Sequence, residues 1–213
     1  MDTTVGKWTA GASYGPVLSQ TDLYLLQTEL ELNPILQGKH STFTLLFNIL
    51  TGHAGGFNPD SRDRDLQFTA KDEPATLPRV AQLIIITEHS PWCTIVTNER
   101  GVTMNDICQQ VWKECVVAFF FFNAEFASLP PRVQEQIKRI AVSNLANTAP
   151  AGTNAWYYPS AAPPARFKRV GAPRMADWLR ERVFFEALHR NDNYTISRLG
   201  FKAPNIFVMQ ISG

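Results

Sequence analysis

Residues 79–126 read RVAQLIIITEHSPWCTIVTNERGVTMNDICQQVWKECVVAFFFFNAEF, the densest apolar stretch of the chain. Ala81 to Thr87 is a short Ile-rich run that His89-Ser90-Pro91 breaks, which predicts a buried strand. Trp92 to Thr97 alternates, with Trp92, Thr94 and Val96 on one face and Cys93, Ile95 and Thr97 on the other, as a strand with one packed face does. Asn98-Glu99-Arg100-Gly101 is turn chemistry. Thr103 is an N-cap, and Asp106 completes a carboxylate form of the capping box. Ile107, Val111, Cys115, Phe119, Phe122 and Phe126 then recur in steps of three and four along one helical face. A hairpin followed by a central core helix is the expected nucleus of the fold. The unbroken apolar run, Cys115 to Phe122, falls short of the roughly 20 residues that span a bilayer.

Around this nucleus the 213 residues are enough for one domain, predicted over residues 20–213 behind a flexible arm, residues 1–19. With 45% hydrophobic and 18% charged residues the composition is that of a globular protein with a real core. The net charge of +1 gives no global support to nucleic-acid or membrane binding. Locally, Arg166 to Lys202 carries nine Lys/Arg against four Asp/Glu, a +5 that leaves −4 on the rest. The three cysteines, Cys93, Cys108 and Cys115, form no CxxC pair and read as reduced, mostly buried thiols of an intracellular protein. The N-terminus has neither a basic n-region nor an apolar h-region, so the expected location is the cytoplasm, with nuclear access left open.

In chain order, Gln20 to Leu32 is predicted as a short helix capped by Thr21 or Asp22, with Leu23, Leu26 and Leu30 inward. Thr42 to Leu50 is predicted as a buried strand. Residues 51–78 form a long polar loop; its His53, Asp60, Asp63 and Asp65 match no metal-ligand spacing, so no metal and no cofactor are expected. Pro131 opens a second helix that ends near Asn147. Residues 148–165 form a second long loop, rich in proline, yet carrying Trp156, Tyr157 and Tyr158 in a row. Arg166 to Val170 reads as a basic edge strand, Met175 to Leu188 as a third helix, Asn191-Asp192-Asn193 as a turn. Asn205 to Ile211 is a final strand expected to pair with the hairpin and close the sheet, with Ile206 and Val208 on one face and Phe207, Met209 and Ile211 on the other. The sum is an α+β fold: a mainly antiparallel sheet of about four or five strands with three principal helices packed on it.

No GxGxxG, P-loop, HExxH or GxSxG motif is present. Among the four histidines, His89 is the candidate catalytic base, because acid, imidazole and indole converge in Glu88-His89-Ser90-Pro91-Trp92. The basic stretch Arg166, Lys168, Arg169, Arg174, Arg180 and Arg182 follows the aromatic run. Cations beside aromatics can hold an acidic partner or an anionic metabolite. Trp156, Tyr157, Tyr158, Arg166, Arg169 and Arg174 are therefore the expected ligand- or partner-binding residues.

Several stretches taken together resemble a domain family of unknown function from basidiomycete fungi. They are Leu32-Asn33-Pro34-Ile35-Leu36, Pro74-Ala75-Thr76-Leu77-Pro78, Trp92-Cys93-Thr94-Ile95-Val96, Gly101-Val102-Thr103 with Asp106-Ile107, and Asp177-Trp178-Leu179 with Phe185 and Leu188. The resemblance implies a fungal, intracellular, single-domain protein and carries no activity. It departs at Phe47-Asn48-Ile49, where such sequences more often have Trp-Asp-Leu, so any acid–base role of that aspartate is closed to Asn48. The expected function is a non-enzymatic module binding a protein partner or a small molecule. The alternative is a cofactor-independent cyclase, isomerase or lyase acting on a small, largely apolar metabolite, for which 14 Phe, 5 Trp and 5 Tyr could line a pocket. A self-assembling homo-oligomer is a third reading.

Overall fold

The computed structural model describes residues 7–9, 15–61, 65–117, 126–147 and 175–213. The elements are β1 (Val17–Leu18), α1 (Gln20–Leu26), β2 (Glu31–Leu32), β3 (Thr44–Asn48), β4 (Ala54–Phe57), β5 (Leu66–Gln67), a 3-10 turn (Thr69–Asp72), β6 (Thr76–Leu77), β7 (Arg79–Val80), β8 (Gln82–Ile86), β9 (Cys93–Thr97), α2 (Met104–Val117), α3 (Pro131–Asn147), α4 (Met175–Trp178), β10 (Phe184–His189), α5 (Asp192–Leu199) and β11 (Ile206–Ser212). Seven strands form the main sheet in the order β5-β4-β3-β10-β11-β8-β9. Every neighbour pair is antiparallel except β11 with β8, where Ile206, Phe207 and Val208 run parallel to Ile84, Ile85 and Ile86. The α+β class is as expected; the sheet has seven strands rather than four or five.

Strand β11 explains itself from its sequence. IFVMQIS is buried at every position except Gln210 and Ser212, as a strand covered on both faces must be. Phe207, Met209 and Ile211 join the main core with Leu83, Ile85, Phe47 and the inner face of α2. Ile206 and Val208 join Ile86, Ile84, Tyr194 and Leu199 beneath α5. Pairing with the hairpin is thus realised, but β11 lies inside the sheet with β10 on its other edge, so it does not close it.

The hairpin and the first part of the helix are built as expected; Phe119 and Phe122 of its predicted inner face lie outside the described residues. In β9 Thr94 and Val96 are buried and Cys93, Ile95 and Thr97 exposed. Gly101 turns the chain at φ 97°, with Arg79 packed against the space a side chain would fill. The Asp106 carboxylate accepts from the Thr103 amide at 2.9 Å, while Thr103 Oγ1 accepts from the Asp106 amide at 3.1 Å. Asn98 Nδ2 donates to the same carboxylate at 2.7 Å, fastening the hairpin turn to the helix start.

Three of the landmark stretches meet beside this cap. The Ala75 amide donates to Val102 O, the Asn33 amide donates to Ala75 O, and the Met104 amide donates to Glu73 O. Asn33 is 1% exposed; its Oδ1 accepts from the Ile35 amide and its Nδ2 donates to Pro74 O and Glu73 Oε2. Asn48 has a local structural role as well. Its Oδ1 accepts from the Leu50 and Thr51 amides at 2.9 and 3.0 Å, an acceptor function that an aspartate carboxylate would also fill.

Four expectations are corrected. First, the helix of Gln20 to Leu32 stops at Leu26, because Gln27 takes left-handed backbone at φ 50°, and Leu30 and Leu32 reach the core from extended chain; the cap is Ser19, with Asp22 reciprocating. Second, residues 51–78 are not simply a loop: β4 pairs with β3, and β5 with β4. Glycine disguised this strand, since the Phe43 ring lies over Gly56, where a Cβ would approach it to 2.3 Å. Third, Met175 to Leu188 is one helical turn followed by strand β10. A bulge between Phe185 and Ala187 lets Phe185 and Leu188 face the core three residues apart, a spacing that imitates a helix. Fourth, Asn191-Asp192-Asn193 is a helix start, with Asn191 Oδ1 accepting from the Tyr194 amide and Gly200 ending α5 at φ 82°. The expected Arg166 to Val170 strand lies outside the described residues.

Two predictions follow from the cap and the core. Thr103→Ala should lower unfolding stability by about 1 kcal/mol in urea titration, the usual value of an N-cap. Burial pushes the Cys108 and Cys115 thiols up to about 12, whereas Cys93 is exposed. A thiol reagent at mildly alkaline pH should therefore modify Cys93 in the folded protein and reach the other two only after unfolding.

Candidate functional site

The chain between β8 and β9 carries Glu88-His89-Ser90-Pro91-Trp92, and the fold holds it from behind. Tyr194 Oη of α5 donates to Thr87 O at 3.1 Å, and the Arg198 guanidinium donates to Ser90 O at 2.8 Å. Within the turn the His89 amide donates to Thr87 Oγ1 at 3.4 Å. On its front, Trp92 meets Trp178 of α4 edge to face, ring centroids 6.0 Å apart. Both indoles pack with Val133, Leu129 and Phe126 around the buried Ile137 of α3.

These elements enclose a pocket of about 190 Å³ lined by His89, Val133, Ile137, Trp178, Leu179, Arg180 and Arg182. Its wall is half apolar and half cationic or protonatable. Arg180 reaches it from left-handed backbone, φ 60°, an uncommon conformation for a residue with a side chain. Turn bonds from the Arg180 amide to Asp177 O and from the Arg182 amide to Leu179 O hold that geometry. Burial lowers the His89 pKa below the ordinary 6.5, and the positive charge of Arg182 lowers it further, against a smaller opposite effect of Glu88. At neutral pH His89 is thus an uncharged imidazole sharing the pocket with Arg180 and Arg182, able to accept a proton or a hydrogen bond.

Behind the pocket wall lies a gap of about 10 Å³ bordered by Thr87, Ser90, Trp92, Thr94, Cys115 and Leu179 among others. Ser90 Oγ is buried and has no hydrogen-bond partner. The gap is the size that one water occupies, and Ser90 Oγ is the atom such a water would satisfy.

Of the residues singled out in the sequence, His89 is in the pocket, joined by Arg180 and Arg182 from the basic stretch. Trp156, Tyr157, Tyr158, Arg166, Arg169 and Arg174 lie outside the described residues. Trp178 reads in the sequence as a core residue of a helix; it is a wall of the pocket. Its signal was the Arg180-Glu181-Arg182 run that begins two residues after it. Among the described residues no group of three or more His, Cys, Asp or Glu is placed to hold a metal ion, and no helix is long and apolar enough to cross a membrane.

Fold and pocket together define an α+β sheet protein with a small, partly cationic pocket where a strand turn, a helix and a helix–strand link converge. The chain belongs to a family of unknown function, DUF6699, whose model matches residues 46–194. That span includes the His89 turn, α3 and the Trp178–Arg182 link. No curated protein and no solved structure matches the chain.

The lowered His89 pKa sets the sign of a pH effect. A group whose pKa falls on folding contributes stability above its unfolded value, about 6.5, and loses it as pH drops through the folded one. Between about pH 7.5 and 5.5 the wild-type melting temperature should therefore fall more steeply than that of His89→Gln, measured by thermal denaturation at fixed ionic strength.

Proposed function

We propose that this chain is a non-enzymatic binding module whose pocket at His89, Trp178, Arg180 and Arg182 receives a small molecule or a side chain of a protein partner. The observation that carries the reading is the convergence of these four residues on one pocket, although they come from segments ninety positions apart in sequence. Pockets that combine an apolar wall with a few convergent polar groups are where ligands bind. The aromatic run Trp156 to Tyr158, with Arg166, Arg169 and Arg174, belongs to the proposal as further contact residues, since it leads directly into α4 in sequence. The landmark resemblance supports a fungal, intracellular setting, and the composition supports one domain from residue 20 onward.

One observation favours the alternative of a cofactor-independent enzyme on a small apolar metabolite: the imidazole of His89 is held uncharged at neutral pH, as a general base must be.

The test is a small-metabolite screen by ligand-observed NMR on the full chain, repeated with Val133→Phe, which fills the pocket from α3. Hits should bind the wild type and lose saturation transfer in Val133→Phe. Hits that bind both equally would place binding elsewhere and overturn the reading, and turnover of a hit that stops in His89→Gln would establish the enzyme instead.

A further inference from the structure

We propose that the ligand of this pocket is a small organic carboxylate, an anionic head on a short apolar body; this deepens the binding reading and rests on it. The charged residues that line the pocket have one sign; the neighbouring acids, Glu88, which acts on His89, and Asp177, buried in α4, are not among its lining. Arg180 and Arg182 line it, and neither guanidinium is engaged by an acidic side chain among the described residues. Glu181 between them is exposed and does not line the pocket. Glu88 is exposed and does not line the pocket. On α3 the Glu135 carboxylate is paired with Arg139 at 3.4 Å, and Lys138 stands over the Phe126 ring. On α5 the Arg198 guanidinium is spent on Ser90 O. No aspartate or glutamate among the lining residues opposes an incoming anion.

The remaining wall decides between kinds of anion. Val133, Ile137, Trp178 and Leu179 cannot replace the hydration of a compact inorganic ion. They do favour the apolar body of an organic acid, and a guanidinium fork matches a carboxylate. At about 190 Å³ the pocket is below the range of roughly 300–1,000 Å³ typical of larger ligands, which limits that body to a ring or a short branched chain. His89 adds a proton-dependent third cation at the same wall. Anion affinity should rise as pH falls through its lowered pKa.

The experiment is isothermal titration of the full chain with benzoate. Benzyl alcohol serves as the neutral counterpart and inorganic phosphate as an anion without an apolar body. The variants are Arg180→Gly, which suits the left-handed backbone, Arg182→Gln and His89→Gln, each checked for an unchanged melt at about pH 7.5, where His89 is uncharged. Benzoate should bind saturably, and loss of either arginine should weaken it about tenfold or more, the value of a charged hydrogen bond. Its affinity should increase from about pH 7.5 to about 5.5 in the wild type and stay flat in His89→Gln. Benzyl alcohol binding as tightly as benzoate would overturn the carboxylate assignment while leaving the pocket a ligand site. Phosphate binding more tightly than benzoate would overturn the organic body. Absence of saturable benzoate binding would overturn the assignment altogether, and the binding reading would then be judged by the Val133→Phe screen alone.

Discussion

The start of α2 is the constraint on which the other elements depend. A helix begins with amides that have no partner within it, and here two of those needs are met by quite different parts of the chain. Thr103 and Asp106 satisfy each other, while Glu73 O takes the Met104 amide. Because Asn98 also holds Asp106, the hairpin cannot change its angle to the helix without breaking a cap. Asn33 and Ala75 continue the same chain of bonds to the segment after α1. Val102, Met104 and Ala75 are almost completely buried there, so any bond lost would leave a polar group without water. This explains why three of the landmark stretches, scattered over the sequence, form a single structural unit.

What was legible in the sequence followed from local chemistry acting alone. The Ile-rich β8, the alternating β9 and the capping box of α2 each carry one periodicity uninterrupted, and each formed where its pattern placed it. The Pro131 start of α3 belongs with them. The failures came where tertiary structure altered the period. A single extra residue at Phe185–Ala187 turned a strand's spacing of two into a helix's spacing of three. In β4, Gly56, one of two adjacent glycines that would normally mark a loop, was required by the Phe43 ring. Around Asn191 the turn chemistry was correct but served a helix cap, which shares its side-chain preferences with turns.

The candidate site was legible in part for the same reason. His89 stood out as a polar residue at a strand end, and Arg180 and Arg182 as part of a basic run. Their meeting depends on α4 stopping at Trp178 after one turn, which placed the two arginines on a link rather than on a helix face. A helical reading of Met175 to Leu188 sets Arg180 and Arg182 about 200° apart around the axis. In the fold, the left-handed residue Arg180 brings both to one wall.

The parallel pairing of β11 with β8 also has a bearing on how the protein comes together. Ile84 and Ile206 are 122 positions apart, yet they are neighbours near the middle of the sheet. The β8–β9 hairpin and α2 can form early from contacts close in sequence, but one edge of β8 stays without a partner until the chain has passed through α3, α4, β10 and α5. Closing so long a loop precedes the reward of the contacts it makes. The inner edge of β8 is therefore completed only by a strand far along the chain, a non-local pairing of the kind that slows folding.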